Sequence, residues 1–279
     1  MYPGTRCGNH SCEAAAQRKY RRLQTFLALA LLAGSAPAFA ITYTVGNSQD
    51  CTHSTVADAL TAAENHAGAD TIRITRDGTY TQQAITFTTS QDVTITGGYA
   101  NCTTATEDAT YTTLNGAGGA QASVLTINGN AGSLVHLRKL TITGGDVPNN
   151  AIAGGGIYYT GNGLLDIADI SVSNNVGAYG GGINVGGTGD ASELDIGPNT
   201  NILNNSAYYN GGGIYSNNIE TVIRGDSILI ASNSANGIAS VGGFGGGIHI
   251  RACSQKSIVY LGSTGLNGFQ GVVSGNDAL

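Results

Sequence analysis

The chain has 279 residues, of which 43 are glycine and only 11% are charged. Glycine at this level without a Gly-X-Y triplet excludes collagen, and 41% hydrophobic residues with so few charges argue against plain disorder. Residues 41–279 hold 7 Lys and Arg against 17 Asp and Glu, which gives this part a formal net charge of −10. A surface of that sign repels phosphate backbones, so no nucleic acid is expected as a partner.

The first 40 residues predict a secretory signal peptide. A basic segment at Arg18–Arg22 precedes an apolar run at Leu23–Ala36, and Ala38–Ala40 supplies a small-x-small cleavage site. The apolar run is short for a membrane span, and an uncleaved anchor is the alternative. The mature chain is expected to begin at Ile41 and to contain no transmembrane span.

A short amphipathic helix is predicted next. Val56, Ala59, Leu60 and Ala63 follow the i, i+3, i+4, i+7 spacing, and Ser54 is the candidate N-cap. The first turn of a coiled strand structure exposes its apolar interior, so a helix placed before the first strand is expected to cap it.

Short apolar runs predict strands over the rest of the chain. Before the first glycine triplet these runs are 71–74, 84–87, 93–95, 124–127, 134–137 and 140–142. None is long enough to form a sheet alone, so the strands are expected to pair between successive turns of a coil.

The sequence Gly-Gly-Gly-Ile occurs four times, and its copies are 26, 31 and 34 residues apart. Three short strands are predicted in each period, and repetition of this length is typical of a solenoid. Strands one turn apart then lie about 4.8 Å from each other. The isoleucines of the four copies are expected to stack as one buried ladder: Ile157, Ile183, Ile214 and Ile248.

Asparagine ends the third strand of each period, at Asn174-Asn175, Asn204-Asn205 and Asn233. Asparagine tolerates the left-handed backbone conformation, and stacked amides can bond to one another along the axis. These residues are therefore expected to form the corners of the coil.

Two families resemble this chain. The segment Ser54–Ile74 and the following Asp-Gly-Thr-Tyr are similar to the capping start of bacterial right-handed parallel β-helix proteins of the pectin-lyase-like type, and Gly97–Cys102 resembles their Cys-bearing turn. The glycine repeats resemble those of polymorphic outer-membrane proteins, which read Gly-Gly-Ala-Ile after a Phe-x-x-Asn element. Here the third position is glycine, and Ile/Leu runs ending in Asn replace that element.

The resemblance implies an all-β, right-handed parallel β-helix with three short strands per turn and an N-terminal capping helix. It also implies export to the extracellular space or the outer-membrane surface of a Gram-negative bacterium. The expected organisation is a signal peptide at 1–40, the cap and first turns at 41–113, and the repeats at 114–279. Since no further glycine triplet follows, truncation of a longer protein stays open.

Three cysteines follow the leader, and an exported chain meets an oxidising compartment. Cys51 is expected to pair with Cys102, because both flank the same N-terminal module. Cys253 is then the odd cysteine. Residues 41–279 contain no Cys-x-x-Cys or His/Cys cluster, so no metal is expected.

His136, Asp166 and Asp195 occupy equivalent, outward positions of the predicted second strand. Paired acids about 5 Å apart serve glycosidases, so resemblance to the pectin-lyase-like enzymes makes a lyase or hydrolase the alternative function. Calcium would be required only under that alternative. No Arg or Lys lies near the two aspartates in sequence, and the simpler interpretation is a row of solvated charges.

Tyr158, Asn184, Tyr215 and His249 align on the outer side of the first strand. Flat aromatic and amide side chains can stack on sugar rings, although tyrosine is also a favourable strand residue without any ligand. The function expected from the sequence is a non-catalytic, adhesin-like scaffold without a cofactor. Its expected partner is an extracellular glycan or a cell-surface molecule.

Overall fold

The computed structural model describes residues 39–117, 119, 121–187, 192–237, 243–251, 259–262 and 270–278. It is an all-β parallel solenoid of about seven turns with one helix, which confirms the predicted fold class. The predicted signal peptide, except for its last two residues, and Cys253 lie outside the described residues.

Most turns contribute one strand to each of three long parallel sheets, which contain six, eight and six strands. The first sheet contains β3 (Ile85–Thr89), β6 (Leu125–Gly129), β9 (Ile157–Gly161), β13 (Ile183–Gly187), β17 (Ile214–Asn217) and β21 (Ile248–Arg251). The second contains β1 (Thr42–Val45), β2 (Asp70–Thr75), β4 (Val93–Tyr99), β7 (Leu134–Arg138), β10 (Leu164–Ile167), β14 (Glu193–Ile196), β18 (Glu220–Arg224) and β22 (Val259–Gly262). The third contains β5 (Thr112–Asn115), β8 (Leu140–Thr143), β11 (Ile170–Ser173), β15 (Thr200–Leu203), β19 (Asp226–Ala231) and β23 (Gln270–Ser274).

A fourth sheet, which the sequence did not predict, is built from two-residue strands. It contains β12 (Val176–Gly177), β16 (Ser206–Ala207), β20 (Ser234–Ala235) and β24 (Asp277–Ala278). These strands directly follow the asparagine corners, so each turn bends once more before it reaches the next glycine triplet. Two residues are too few to produce an alternating pattern that could be recognised in the sequence.

The predicted isoleucine ladder is present. Ile157 pairs in register with Ile183, Ile183 with Ile214, and Ile214 with Ile248. The first three side chains are fully buried, and Ile248 packs against the core from a partly buried position. Burial of a side chain of this size contributes about 1.5–3 kcal/mol, so this column is a major source of stability.

Helix α1 (Val56–Glu64) caps the coil as predicted. All four residues of its predicted apolar face belong to the hydrophobic core: Val56, Ala59, Leu60 and Ala63. The predicted N-cap was wrong by one position, because Thr55 takes that place instead of Ser54. The Oγ1 atom of Thr55 accepts a hydrogen bond of 3.1 Å from the backbone N–H of Asp58, which satisfies one free donor of the first turn.

The asparagine corners form a hydrogen-bonded ladder along the axis. Asn175 donates through Nδ2 to Oδ1 of Asn205, Asn205 donates in the same way to Asn233, and Asn233 to Asn276, each over 3.0 Å. The residue before the ladder adopts a left-handed conformation, with φ of 57° at Asn174. Amides therefore join the turns outside the apolar column.

Cys51 and Cys102 form a disulfide, as the sequence suggested, which closes a sequence separation of 51 residues near the cap. We expect the double variant Cys51→Ser/Cys102→Ser to lose about 3 kcal/mol of unfolding free energy, because the open unfolded chain gains conformational entropy. Urea denaturation followed by circular dichroism measures the loss. A matching loss should follow reduction of the unaltered protein, and equal midpoints for both proteins would contradict the prediction.

Candidate functional site

The outer row of the first sheet is aligned as the sequence predicted. Tyr158 pairs in register with Asn184, Asn184 with Tyr215, and Tyr215 with His249. Asn184 and Tyr215 are buried, whereas Tyr158 and His249 are half-buried. Other side chains on the same side of the sheet therefore cover part of this row.

Loop aromatics, which the sequence analysis missed, complete this surface. The Tyr179 ring lies 4.8 Å from the Tyr209 ring and 5.0 Å from the Tyr215 ring, measured between centroids. The Tyr215 and His249 rings stack with centroids 5.5 Å apart and planes 3° apart, and the Phe244 ring lies 6.1 Å from that of His249. We call this surface the aromatic face; it comprises Tyr158, Tyr179, Asn184, Tyr209, Tyr215, Phe244 and His249.

Backbone hydrogen bonds hold the loops of the aromatic face in register. Tyr209 N–H donates to the carbonyl of Ala178 over 3.0 Å, and Gly211 N–H donates to that of Phe244 over 2.9 Å. A signal for these rings exists in the sequence: an aromatic residue stands one or two positions before each of the last three glycine triplets. The outermost ring, that of Phe244, is 56% exposed.

Two buried polar atoms on this side of the first sheet have no hydrogen-bond partner among the described residues. They are Nδ2 of Asn184, a donor, and Oδ1 of Asn217, an acceptor. Gly186, the register partner of Asn217, faces open space, since a Cβ built there meets no atom within 4 Å. Buried hydrogen-bonding groups without a partner are uncommon and are a feature of binding sites.

Shifted pKa values keep three side chains of the aromatic face neutral at pH 7: His249, Tyr158 and Tyr179. Burial lowers the pKa of His249, and the charge of nearby Arg251 lowers it further. Burial raises the pKa of Tyr158 and, together with the adjacent Tyr215, that of Tyr179. These three side chains therefore offer rings and polar tips without a formal charge.

The second candidate row is also in register. Asp166 pairs with His136 on one side and with Asp195 on the other. His136 Nδ1 lies 2.7 Å from Oδ2 of Asp166. The interpretation of this row as solvated charges does not hold for Asp195, which is buried.

Arginines from neighbouring turns neutralise both aspartates. The guanidinium of Arg138 lies 3.3 Å from Oδ2 of Asp166, and that of Arg224 forms an ion pair with Asp195. These residues line an open cleft of about 340 Å³. Each arginine is nearly a full turn away from its aspartate in sequence, which is why no basic partner was visible beside the pair.

Among the residues that the structure describes, no three or more His, Cys, Asp or Glu side chains are grouped to hold a metal ion. No described helix is long and apolar enough to cross a membrane.

The protein is therefore a parallel β-solenoid that carries an aromatic face on its first sheet and an arginine-bordered cleft on its second. No protein-family model, curated protein or solved structure matches the chain.

Proposed function

We propose that this chain is an exported, non-catalytic β-helix scaffold that binds an extracellular glycan through the aromatic face. The observation that carries the proposal is the combination of packed rings with two unpartnered polar atoms, on Asn184 and Asn217. Aromatic rings match the apolar C–H side of a sugar, and amide groups match its hydroxyls.

The rings of the aromatic face have two different roles in glycan binding. Tyr215 is buried and stacks on His249, so this pair serves to hold the outer rings in place. Phe244 is exposed, and Tyr158 and Tyr209 are half-buried, so these three side chains provide the contact area. A rigid sheet beneath the rings reduces the entropy lost on binding.

Export and surface location belong to the same proposal. They rest on the signal-peptide pattern of residues 1–40 and on the resemblance to pectin-lyase-like β-helices and polymorphic outer-membrane proteins. Binding of a cell-surface protein in place of a glycan is the main competing outcome.

A glycan array probed with residues 41–279 tests the proposal. We expect selective binding to a small set of glycans, and we expect Phe244→Ala to weaken it about tenfold, which corresponds to about 1.4 kcal/mol. Isothermal titration calorimetry with the best glycan measures this change. Val272→Ala removes a comparably exposed apolar side chain from the third sheet and should leave affinity unchanged. An empty array, or full affinity after Phe244→Ala, would count against the aromatic face.

The alternative of a polysaccharide lyase or hydrolase rests on the register of Asp166 and Asp195. Both carboxylates already have a guanidinium partner, so neither is free to act on a substrate while its ion pair is intact. The glycan-binding scaffold is therefore the preferred function.

A further inference from the structure

We propose that the cleft bordered by Arg138, Asp166, Asp195 and Arg224 is a second ligand site, which binds a neutral vicinal diol such as that of a pyranose ring. We call it the arginine cleft. It lies on the second sheet and uses none of the residues of the aromatic face, so this inference does not depend on the proposed function.

The shape of the arginine cleft follows from the register of the second sheet. Leu137, Ile167, Ile196 and Ile223 are aligned in neighbouring turns. The next position of each turn is therefore Arg138, Ala168, Gly197 and Arg224. Ala168 and Gly197 are small, so the space between the two arginines stays open over two turns of the coil. Pro198, Gly225 and Asp226 also line the cleft.

Asp195 supplies an unused acceptor at the centre of the cleft. Its side chain is only 5% exposed, and its Oδ1 atom has no hydrogen-bond partner among the described residues. A buried carboxylate oxygen without a partner costs free energy, which a ligand with a donor group recovers. This atom is the reason to expect a ligand here rather than a simple surface ion pair.

Arg224 borders the same carboxylate through its other oxygen. Its guanidinium contacts Oδ2 of Asp195, while its side chain is 43% exposed. Exposed side chains change rotamer within nanoseconds, so an outward movement of Arg224 uncovers Asp195 without a change in the backbone. Arg138, which is 41% exposed, borders the other end of the cleft.

The charges of the arginine cleft favour a neutral ligand. Three carboxylates, of Asp166, Asp195 and Asp226, face two guanidinium groups. An anion would compete with these carboxylates, and a cation would meet the arginines. A vicinal diol avoids both conflicts, because one hydroxyl donates to Oδ1 of Asp195 while the oxygens accept from spare guanidinium N–H groups.

Arginine Nε–H resonances in ¹H–¹⁵N spectra of residues 41–279 test this inference. The segment contains five arginines: Arg73, Arg76, Arg138, Arg224 and Arg251. Titration with methyl α-mannopyranoside, methyl α-glucopyranoside and trans-1,2-cyclohexanediol should shift the resonances of Arg138 and Arg224. Cyclohexanol, which lacks the second hydroxyl, should not shift them.

Two variants assign the effect to the cleft. Asp195→Asn should weaken binding of the shifting diol about tenfold, since the charged acceptor is lost. Asp108→Asn breaks a surface pair with Arg76 outside the cleft and should leave binding unchanged. Arg138→Lys retains the charge without the planar fork, so it should also weaken binding while the Arg224 resonance reports it. Thermal melts confirm that each variant is folded.

The following results would contradict the inference. Constant Arg138 and Arg224 resonances with all three diols exclude the site, and shifts that survive Asp195→Asn exclude its central acceptor. Shifts with acetate but not with diols would identify an anion site instead. Arg251 is the register partner of Asn217 beside the aromatic face, so a shift of Arg251 alone would contradict the cleft and leave the proposed function intact.

Discussion

Gly155→Ala is expected to lower the free energy of unfolding by about 3 kcal/mol, because the middle glycine of the triplet has no room for a side chain. A Cβ at this position would lie 2.5 Å from the carbonyl oxygen of Val176 and 2.6 Å from that of Gly181. Both oxygens belong to backbone of the coil, so relief requires the turns to separate. Urea denaturation followed by circular dichroism measures the loss.

Gly186→Ala is the matched control. A Cβ at Gly186 meets no atom within 4 Å, and its φ lies outside the left-handed region. We expect its unfolding free energy to change by less than about 0.5 kcal/mol. Similar losses for the two variants would show that glycine acts through the unfolded chain and that close approach of the turns is not the cause.

Asn205→Ala is expected to cost about 4 kcal/mol, because it removes four buried hydrogen bonds at once. The Oδ1 atom of Asn205 accepts from the backbone N–H and from Nδ2 of Asn175, at 3.1 and 3.0 Å. Its Nδ2 donates to the carbonyl of Val172 at 2.9 Å and to Oδ1 of Asn233 at 3.0 Å. The same denaturation experiment applies. Asn204→Gly is the control: Asn204 is exposed with φ of 55°, so glycine should be tolerated there with little change.

Asn205→Asp adds a pH dependence to this prediction. The new carboxyl would be buried and would face two acceptors, the Val172 carbonyl and Asn233 Oδ1. Both effects raise its pKa in the folded state above the unfolded value of about 3.9. The free energy of unfolding of the variant is then highest at low pH, where the carboxyl is protonated in both states. It falls as the pH rises through the folded pKa, so the variant should be more stable near pH 4 than near pH 7. Equal stability at both pH values would contradict a buried acceptor-lined position.

The stacked strands and the buried column could be predicted from the sequence, whereas the side-chain clusters on the surface could not. Ile157, Ile183 and Ile214 repeat in a fixed relation to the glycines, so pattern alone places them in one column. The loop rings of the aromatic face escaped prediction, because Tyr179, Tyr209 and Phe244 lie in loops whose lengths differ from turn to turn. Outside the regular strands, contact depends on backbone pairing that periodicity does not reveal.

Partners across turns were missed for a related reason. Arg138 and Asp166 are 28 residues apart, and Asp195 and Arg224 are 29 apart, so neither pair is visible in a local window. The strand register was predicted correctly, but it identifies only side-by-side neighbours. A long arginine side chain reaches diagonally from the adjacent row, and this reach decides which carboxylate it neutralises.

The separation of strands and loops has a consequence for how such a chain changes. Spacing between glycine triplets grows from 26 to 34 residues, yet Ile157, Ile183, Ile214 and Ile248 remain aligned. The extra residues lie between strands, at more than one place in the turn, so they lengthen the connections without moving the buried column. A turn can therefore change the length of its connections while the stacked strands beneath them keep the same register.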